Sequence, residues 1–280
     1  MELNDPLPGW DTLATMDDEA LPLLDVALLI ARDEYPALDP RRYALQVQAH
    51  AAHLRRAVGD DTPPAQQMRA INQYLFEEVG YAGNHAEYYD PRNSYLNEVL
   101  DRRLGNPISL ALVQMAVARQ VGVPLDGVSF PGHFLVRLPV DDGMLVMDPF
   151  NRGRPLDVDE LRQRARSHLG DVPDDDALSR ILDPASNRAI LVRMLRNLQG
   201  VYQERGDWER VVRSADRVLS LAPDNPEAHR DRGIGYLEMG HLAGAREDLR
   251  RYLLVHPDAE DAAQVRQRLI DAGRGPAWLH

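Results

Sequence analysis

The chain repeats itself near its C-terminus, and that repetition restricts the fold of its last third more than any other feature. Tyr202, Gly206 and Pro223 recur as Tyr236, Gly240 and Pro257, each 34 residues further on. Val211 and Ala215 correspond in the same register to Ala245 and Leu249. Between these markers the apolar residues follow a helical period: Leu195, Leu198 and Tyr202 form one stripe, and Trp208, Val211, Val212 and Ala215 a second. Gly206 and Gly240 fall where the turn between two helices needs a residue without a side chain. Pro223 and Pro257 end the second helix of each unit.

This period resembles that of the tetratricopeptide repeat. The resemblance implies an all-α hairpin array of two repeats over 188–256, with a surface for a protein partner. Two stacked hairpins leave an apolar end, so a capping helix is expected over 258–272.

The preceding residues read as helices and then a small sheet. Leu21–Ala31, Arg41–Val58 and Pro64–Val79 have helical periodicity, punctuated by Asp39-Pro40 and Thr62-Pro63-Pro64. Gly80–Asn93 reads as a polar loop and Ser94–Arg103 as a short helix. Pro107–Val121 is apolar almost all round, which predicts a helix buried at the centre of a domain. Strand-like segments follow at Gly127–Phe130, His133–Leu138 and Met144–Asp148, then a helix at Asp157–Ser167. Asp171–Asp176 reads as an acidic linker. The fold class is therefore α+β: a helical N-terminal part with a small antiparallel sheet, followed by the all-α array. The expected division is a tail at 1–20, a domain at 21–182, the repeats and the cap.

Composition removes several kinds of chemistry. The chain has no cysteine, and all 32 of its basic residues are arginine. Thiolate nucleophiles, thiolate metal sites and lysine Schiff bases are excluded. A formal net charge of -12 argues against nucleic acid as a partner. The N-terminus lacks a basic segment followed by an apolar run, and Leu21–Ala31 is too short to span a bilayer. The expected compartment is the cytoplasm, with no membrane partner and no cofactor. His133, Asp148 and His85 have no diagnostic metal spacing, so no metal site is expected.

A buried helix, a strand beginning with His and a strand ending with Asp follow the order of papain-like and transglutaminase-like enzymes. The stretches Arg102–Ala111, Phe130–Leu135 and Asp148-Pro149-Phe150, with the loop Tyr88–Leu96, resemble a bacterial family of Sir-B-type, transglutaminase-like proteins. Members often carry C-terminal tetratricopeptide repeats, and a similar domain occurs in a eukaryotic F-box protein. The resemblance implies a papain-like core in which a cysteine at the helix start is nucleophile, the His its base and the Asp the group that orients the His. Aligning Gly105, Ala111 and Gly122-Val123-Pro124 with that pattern puts Pro107 at the cysteine position. The nucleophile position is thus lost, and Asn106-Pro107 suits an N-cap and first helical residue. Ser109 is a candidate substitute, but two residues rotate it roughly 200° from Pro107.

The resemblance thus implies a pseudoenzyme, an adaptor or regulatory protein with a degenerate transglutaminase-like domain. The alternative is a hydrolase or acyl transferase using Ser109 or an activated water with a His133–Asp148 dyad. Asn84, Tyr88, Tyr89, Asn93, Arg103 and Asn106 are candidates for a polar groove; the competing reading packs the tyrosines onto the helix. Two hairpins compete for the strand register. A two-residue Asp142-Gly143 turn sets Arg137 opposite Asp148. A four-residue loop, Pro139–Asp142, sets His133 there, and is expected because the resemblance requires the pair.

Overall fold

The computed structural model describes residues 7–58, 62–141 and 143–273. The chain divides into two compact units. The first holds residues 17–194 and the segment ending at Pro8. The second holds residues 9–16, with the short helix α1 (Trp10–Leu13), and the chain from Leu195 onward.

In the first unit α2 (Leu23–Arg32), α3 (Pro40–Ala57), α4 (Pro64–Asn72) and α5 (Leu96–Arg102) surround α6 (Pro107–Gln120). The Asp39 side chain accepts from the Arg41 N–H at the start of α3, where Pro40 supplies a preset φ. α4 runs into a π-helical segment, Gln73–Glu78. On α6, Ile108, Leu110, Ala111, Leu112, Val113, Val117 and Ala118 are at most 3% exposed, so this helix has no solvent face of ordinary width.

Two pieces of sheet accompany the helices. β1 (Ala82–Gly83) and β2 (Leu104–Gly105) form a short parallel pair, which brings the end of the polar loop beside the start of α6. β3 (Asp126–Val128), β4 (Leu135–Val140), β5 (Gly143–Asp148) and β6 (Arg154–Leu156) form an antiparallel sheet in chain order. α7 (Val158–Leu169) and α8 (Asp175–Ile181) follow. The acidic stretch expected to be a linker instead starts α8: Asp174 accepts from the Ala177 N–H, and Leu178 and Leu182 join a core with Val128, Phe130, Leu161 and Ala165.

The register is neither of the two weighed from the sequence. Val140 pairs with Gly143, Leu138 with Leu145 and Val136 with Met147; Asp142 lies outside the described residues. The expected four-residue loop is therefore corrected to a tighter connection, and His133 precedes β4 instead of lying in it. Pro139 continues the ladder because β3 reaches only to Arg137, leaving no neighbour on that side to receive an N–H.

The second unit contains α9 (Asn187–Glu204) from Leu195 onward, then α10 (Trp208–Leu221), α11 (Pro226–Glu238), α12 (Leu242–Val255) and α13 (Ala262–Gly273). The 34-residue offset is preserved in the backbone hydrogen bonds. Asp207 N–H donates to Tyr202 O as His241 N–H donates to Tyr236 O. Gly206 N–H donates to Gln203 O as Gly240 N–H does to Leu237 O. Gly206 (φ +67°) and Gly240 (φ +80°) are both left-handed, the conformation that ends each first helix. Ala215 and Leu249 are both fully buried. Among the described residues no helix is long and apolar enough to cross a membrane.

Candidate functional site

Asp148 ends β5 and starts a 3-10 turn, Pro149–Asn151, which it caps. Its carboxylate is fully buried yet receives five donors. Oδ1 accepts from the backbone N–H groups of Phe150 (3.1 Å) and Asn151 (3.3 Å) and from His133 Nε2 at 2.9 Å. Oδ2 accepts from Asn151 Nδ2 at 2.7 Å and Arg164 Nη1 at 2.8 Å. Burial alone would push this carboxyl up, but the hydrogen bonds and charge of His133, with Arg164 and Asn151, hold it well below the usual carboxylate range.

His133 reaches Asp148 from a turn. Its N–H donates to Phe130 O, and Gly132 before it is left-handed (φ +66°). A side chain at Gly132 would strike the His168 ring, so glycine is needed for space as well as conformation. Arg193 holds the turn from behind, donating from Nη2 to His133 O at 2.7 Å and to Phe130 O at 3.1 Å. The His133 side chain is 20% exposed. Because Nε2 faces a carboxylate, it carries the proton in the neutral ring, and Nδ1 is left as the acceptor. No hydrogen bond to Nδ1 is present among the described residues.

The start of α6 is brought to the same place by packing. The Phe150 ring lies against Gly83, where a Cβ would come within 2.6 Å of it, and 6.0 Å from the His133 ring. β1 pairs with β2, and α6 begins two residues after β2. His85 and Tyr88 stack around the other edges of Phe150, at 4.4 and 5.7 Å.

At that helix start the hydroxyl of the candidate Ser109 is spent on structure. Asn106 and Ser109 form a capping box: the Asn106 side chain accepts from the Ser109 N–H, and the Ser109 hydroxyl accepts from the Asn106 N–H. The same hydroxyl donates to Asn93 O at 2.6 Å and is fully buried. A Cβ on Gly105 would sit 2.6 Å from it, which accounts for the glycine. Pro107 is buried at the first helical position.

The proposed groove separates into two groups. Asn84, Asn93 and Asn106 are at most 7% exposed and tie the loop together from inside. Asn84 Nδ2 donates to Asn93 Oδ1, Asn93 Nδ2 to the carbonyls of Glu87 and Tyr88, and Asn106 Nδ2 to Ser94 Oγ. They are corrected from groove lining to scaffold, because a polar loop needs internal partners for its own backbone. Arg103 is left-handed (φ 61°), donates to Val79 O and is exposed. Tyr95 is buried, while Tyr88, which packs on Phe150, and Tyr89 remain 42% and 61% exposed. Among the described residues no three His, Asp or Glu side chains are grouped to hold a metal. Arg164 and Arg193 were not found from the sequence; the only local signal was the Glu160–Arg164 spacing on α7, which forms an ion pair.

The family described as the transglutaminase-like superfamily matches residues 41–196, and that described as tetratricopeptide repeat matches residues 198–270. A UPF0162 protein of Xylella fastidiosa (strain 9a5c) is 61% identical over 275 residues, 98% of each chain. A UPF0162 protein of Pseudomonas aeruginosa is 31% identical over 262 residues, 94% of this chain and 95% of that one. F-box only protein 21 of mouse is 32% identical over 172 residues, 57% of this chain and 26% of the mouse protein.

Proposed function

The chain belongs to the transglutaminase-like superfamily and carries a tetratricopeptide-repeat region behind that domain; from this premise we propose that it is a non-catalytic adaptor or regulatory protein of the cytoplasm. In this reading the domain spans 21–182, the two repeats 188–256 and the cap 258–272. It is a Sir-B-type protein, and the repeats bind a protein partner.

One observation carries the reading. The helix start that the superfamily's chemistry uses for a nucleophile holds Pro107, and the nearest hydroxyl, Ser109, is fully buried in a capping box. A hydroxyl that donates to Asn93 O and accepts from Asn106 N–H has no geometry left for attack on a substrate. The His133–Asp148 pair then persists as a structural clamp between the turn at 131–133 and the end of β5.

The second reading, a hydrolase or acyl transferase, draws on the one feature the clamp does not require. His133 Nδ1 lacks a partner among the described residues, so the dyad could activate a water in place of Ser109.

The test compares His133→Ala with the wild type in two measurements. One is hydrolysis of activated acyl esters and amides; the other is capture of a partner from the native cytoplasm. The adaptor reading expects no turnover above solvent in either protein, with capture kept by His133→Ala and lost on removing the repeats. Turnover that disappears in His133→Ala would replace it with the water-activating enzyme.

A further inference from the structure

A second site lies at the other end of α6. Its last turns, around Leu112 and Met115, form one wall of a cleft of about 1110 Å³, and Leu24 and Val123 contribute to the others. Arg119, about 18 Å along the helix from Pro107 at 1.5 Å per residue, stands exposed at its rim. The α6 wall is apolar while the rest of the lining mixes apolar and polar side chains, and the volume is that of a cleft for a small organic molecule.

Among the polar residues of that lining, which include Gln48, Gln120, Asp126 and Asn187, Asp25 is the buried one. It is the third residue of α2 and 7% exposed. Oδ1 is sealed from solvent and has no hydrogen-bond donor. Oδ2 is not sealed and likewise has no donor among the described residues, so it is the oxygen that meets the cleft. A carboxylate placed this way is costly. Buried charges are ordinarily paired, and an isolated one loses its hydration without replacement. Asp148 shows how this chain treats a buried carboxylate in a purely protein environment: it supplies five donors. Asp25 receives none. The positive end of α2 favours a negative charge at this position but supplies no hydrogen bond to it. Burial pushes the Asp25 carboxyl above its ordinary range.

We infer that this cleft binds a small molecule with a primary ammonium group on an apolar body, the ammonium pairing with Asp25 and the body lying against α6. An ammonium has three donors and no acceptor, which suits a buried carboxylate that no described residue donates to. Arg119 at the rim suits an acidic substituent at the far end of the same molecule. The site is independent of the His133–Asp148 pair and gives the regulatory reading a ligand class.

Phenylbutylamine and phenylbutanol, which share length and shape but differ in the ammonium, test the inference on the full chain by calorimetric titration. The wild type is expected to bind one equivalent of the amine at least tenfold more tightly than the alcohol. Asp25→Asn should bring the amine down to the affinity of the alcohol and leave the alcohol unchanged. Ala116→Trp, which fills the cleft, should weaken both. Equal affinity for the two probes in the wild type would overturn the inference, as would absence of saturable amine binding or an amine preference that survives Asp25→Asn. The wild-type comparison decides the matter by itself if Asp25→Asn does not fold.

Discussion

Among the described residues each unit of the molecule contains one histidine–aspartate pair, and the two are built differently. In the repeat unit, His229 Nδ1 lies 2.8 Å from Asp248 Oδ1 and Nε2 lies 3.3 Å from Pro223 O, so both ring nitrogens face acceptors. Arg232 closes on the same carboxylate with Nε and Nη2, at 2.6 and 2.7 Å. The side chains of that pair are only 6% and 4% exposed. In the transglutaminase-like unit, His133 uses one nitrogen and keeps 20% of its side chain exposed, while its aspartate is even more completely satisfied. The first pair is wholly consumed by the fold. The second fixes its aspartate and leaves one face of its imidazole uncommitted. A His–Asp distance near 2.9 Å therefore does not tell the two pairs apart; the surroundings of the other ring nitrogen do.

Breaking the closed pair should have one of the two largest effects. Asp248→Ala leaves buried His229 without its carboxylate and Arg232 with Asp216 alone, and should cost about 3 kcal/mol in urea denaturation. A cost below about 1 kcal/mol would remove the contrast between the pairs. Ala215→Asp, which puts a charge between the same hairpins, should cost about 3 kcal/mol; an unchanged melting temperature would count against the packing at the 34-residue equivalents Ala215 and Leu249.

Asp148→Asn should cost about 2 kcal/mol at neutral pH, since it replaces the charge that five donors converge on. Its effect should also depend on pH. The carboxyl titrates below its unfolded value, about 3.9, so its stabilisation is fully present above that value and is lost as pH falls through the lower folded one. The melting temperatures of wild type and Asp148→Asn should stay apart from pH 7 down to about 4 and converge as the pH is taken below that, and curves that remain parallel below about 4 would show that the donors do not act through the charge. His133→Ala removes one donor of the five and should cost only about 1 kcal/mol. Pro107→Cys sharpens the comparison without breaking anything. Its thiol is expected to titrate below the ordinary value, about 8.5, because the start of α6 stabilises a thiolate. A value at or above that would detach Pro107 from the nucleophile position.

How much of this was legible depended on the range of the interaction. The repeat could be read because its signal is periodic, and α6 because an apolar run of that length has only one place to go. The α+β class followed from both. The site was legible in its residues but not in its geometry. His133 and Asp148 were named through resemblance, yet the register argued for them was wrong, because the pair is made from a turn and not across a ladder. Arg193 meets the carbonyl of His133 from 60 residues away, and no local pattern announces such a contact. α8 was missed because its acidic first turn hid Leu178 and Leu182, which pack it to the sheet. Asn84, Asn93 and Asn106 suggested a groove by residue type, and only the partner of each amide shows that they are used up inside the loop.

The first turn of α9 is capped from the other end of the first unit. Asp18 accepts the backbone N–H groups of Asn187 and Arg188, both at 2.8 Å, and the Asn187 amide reaches back to the carbonyls of Asp18 and Leu21. The partners are 169 residues apart in the chain. During synthesis at about 5–20 residues per second, residue 18 leaves the ribosome with its partner roughly 10 to 30 seconds from being made. The early helices can collapse in that interval, but the clasp that joins the beginning of this unit to its end cannot close. The nascent chain therefore waits in an unlatched state, and the helix that leads into the repeats is also the piece that completes the unit made before it.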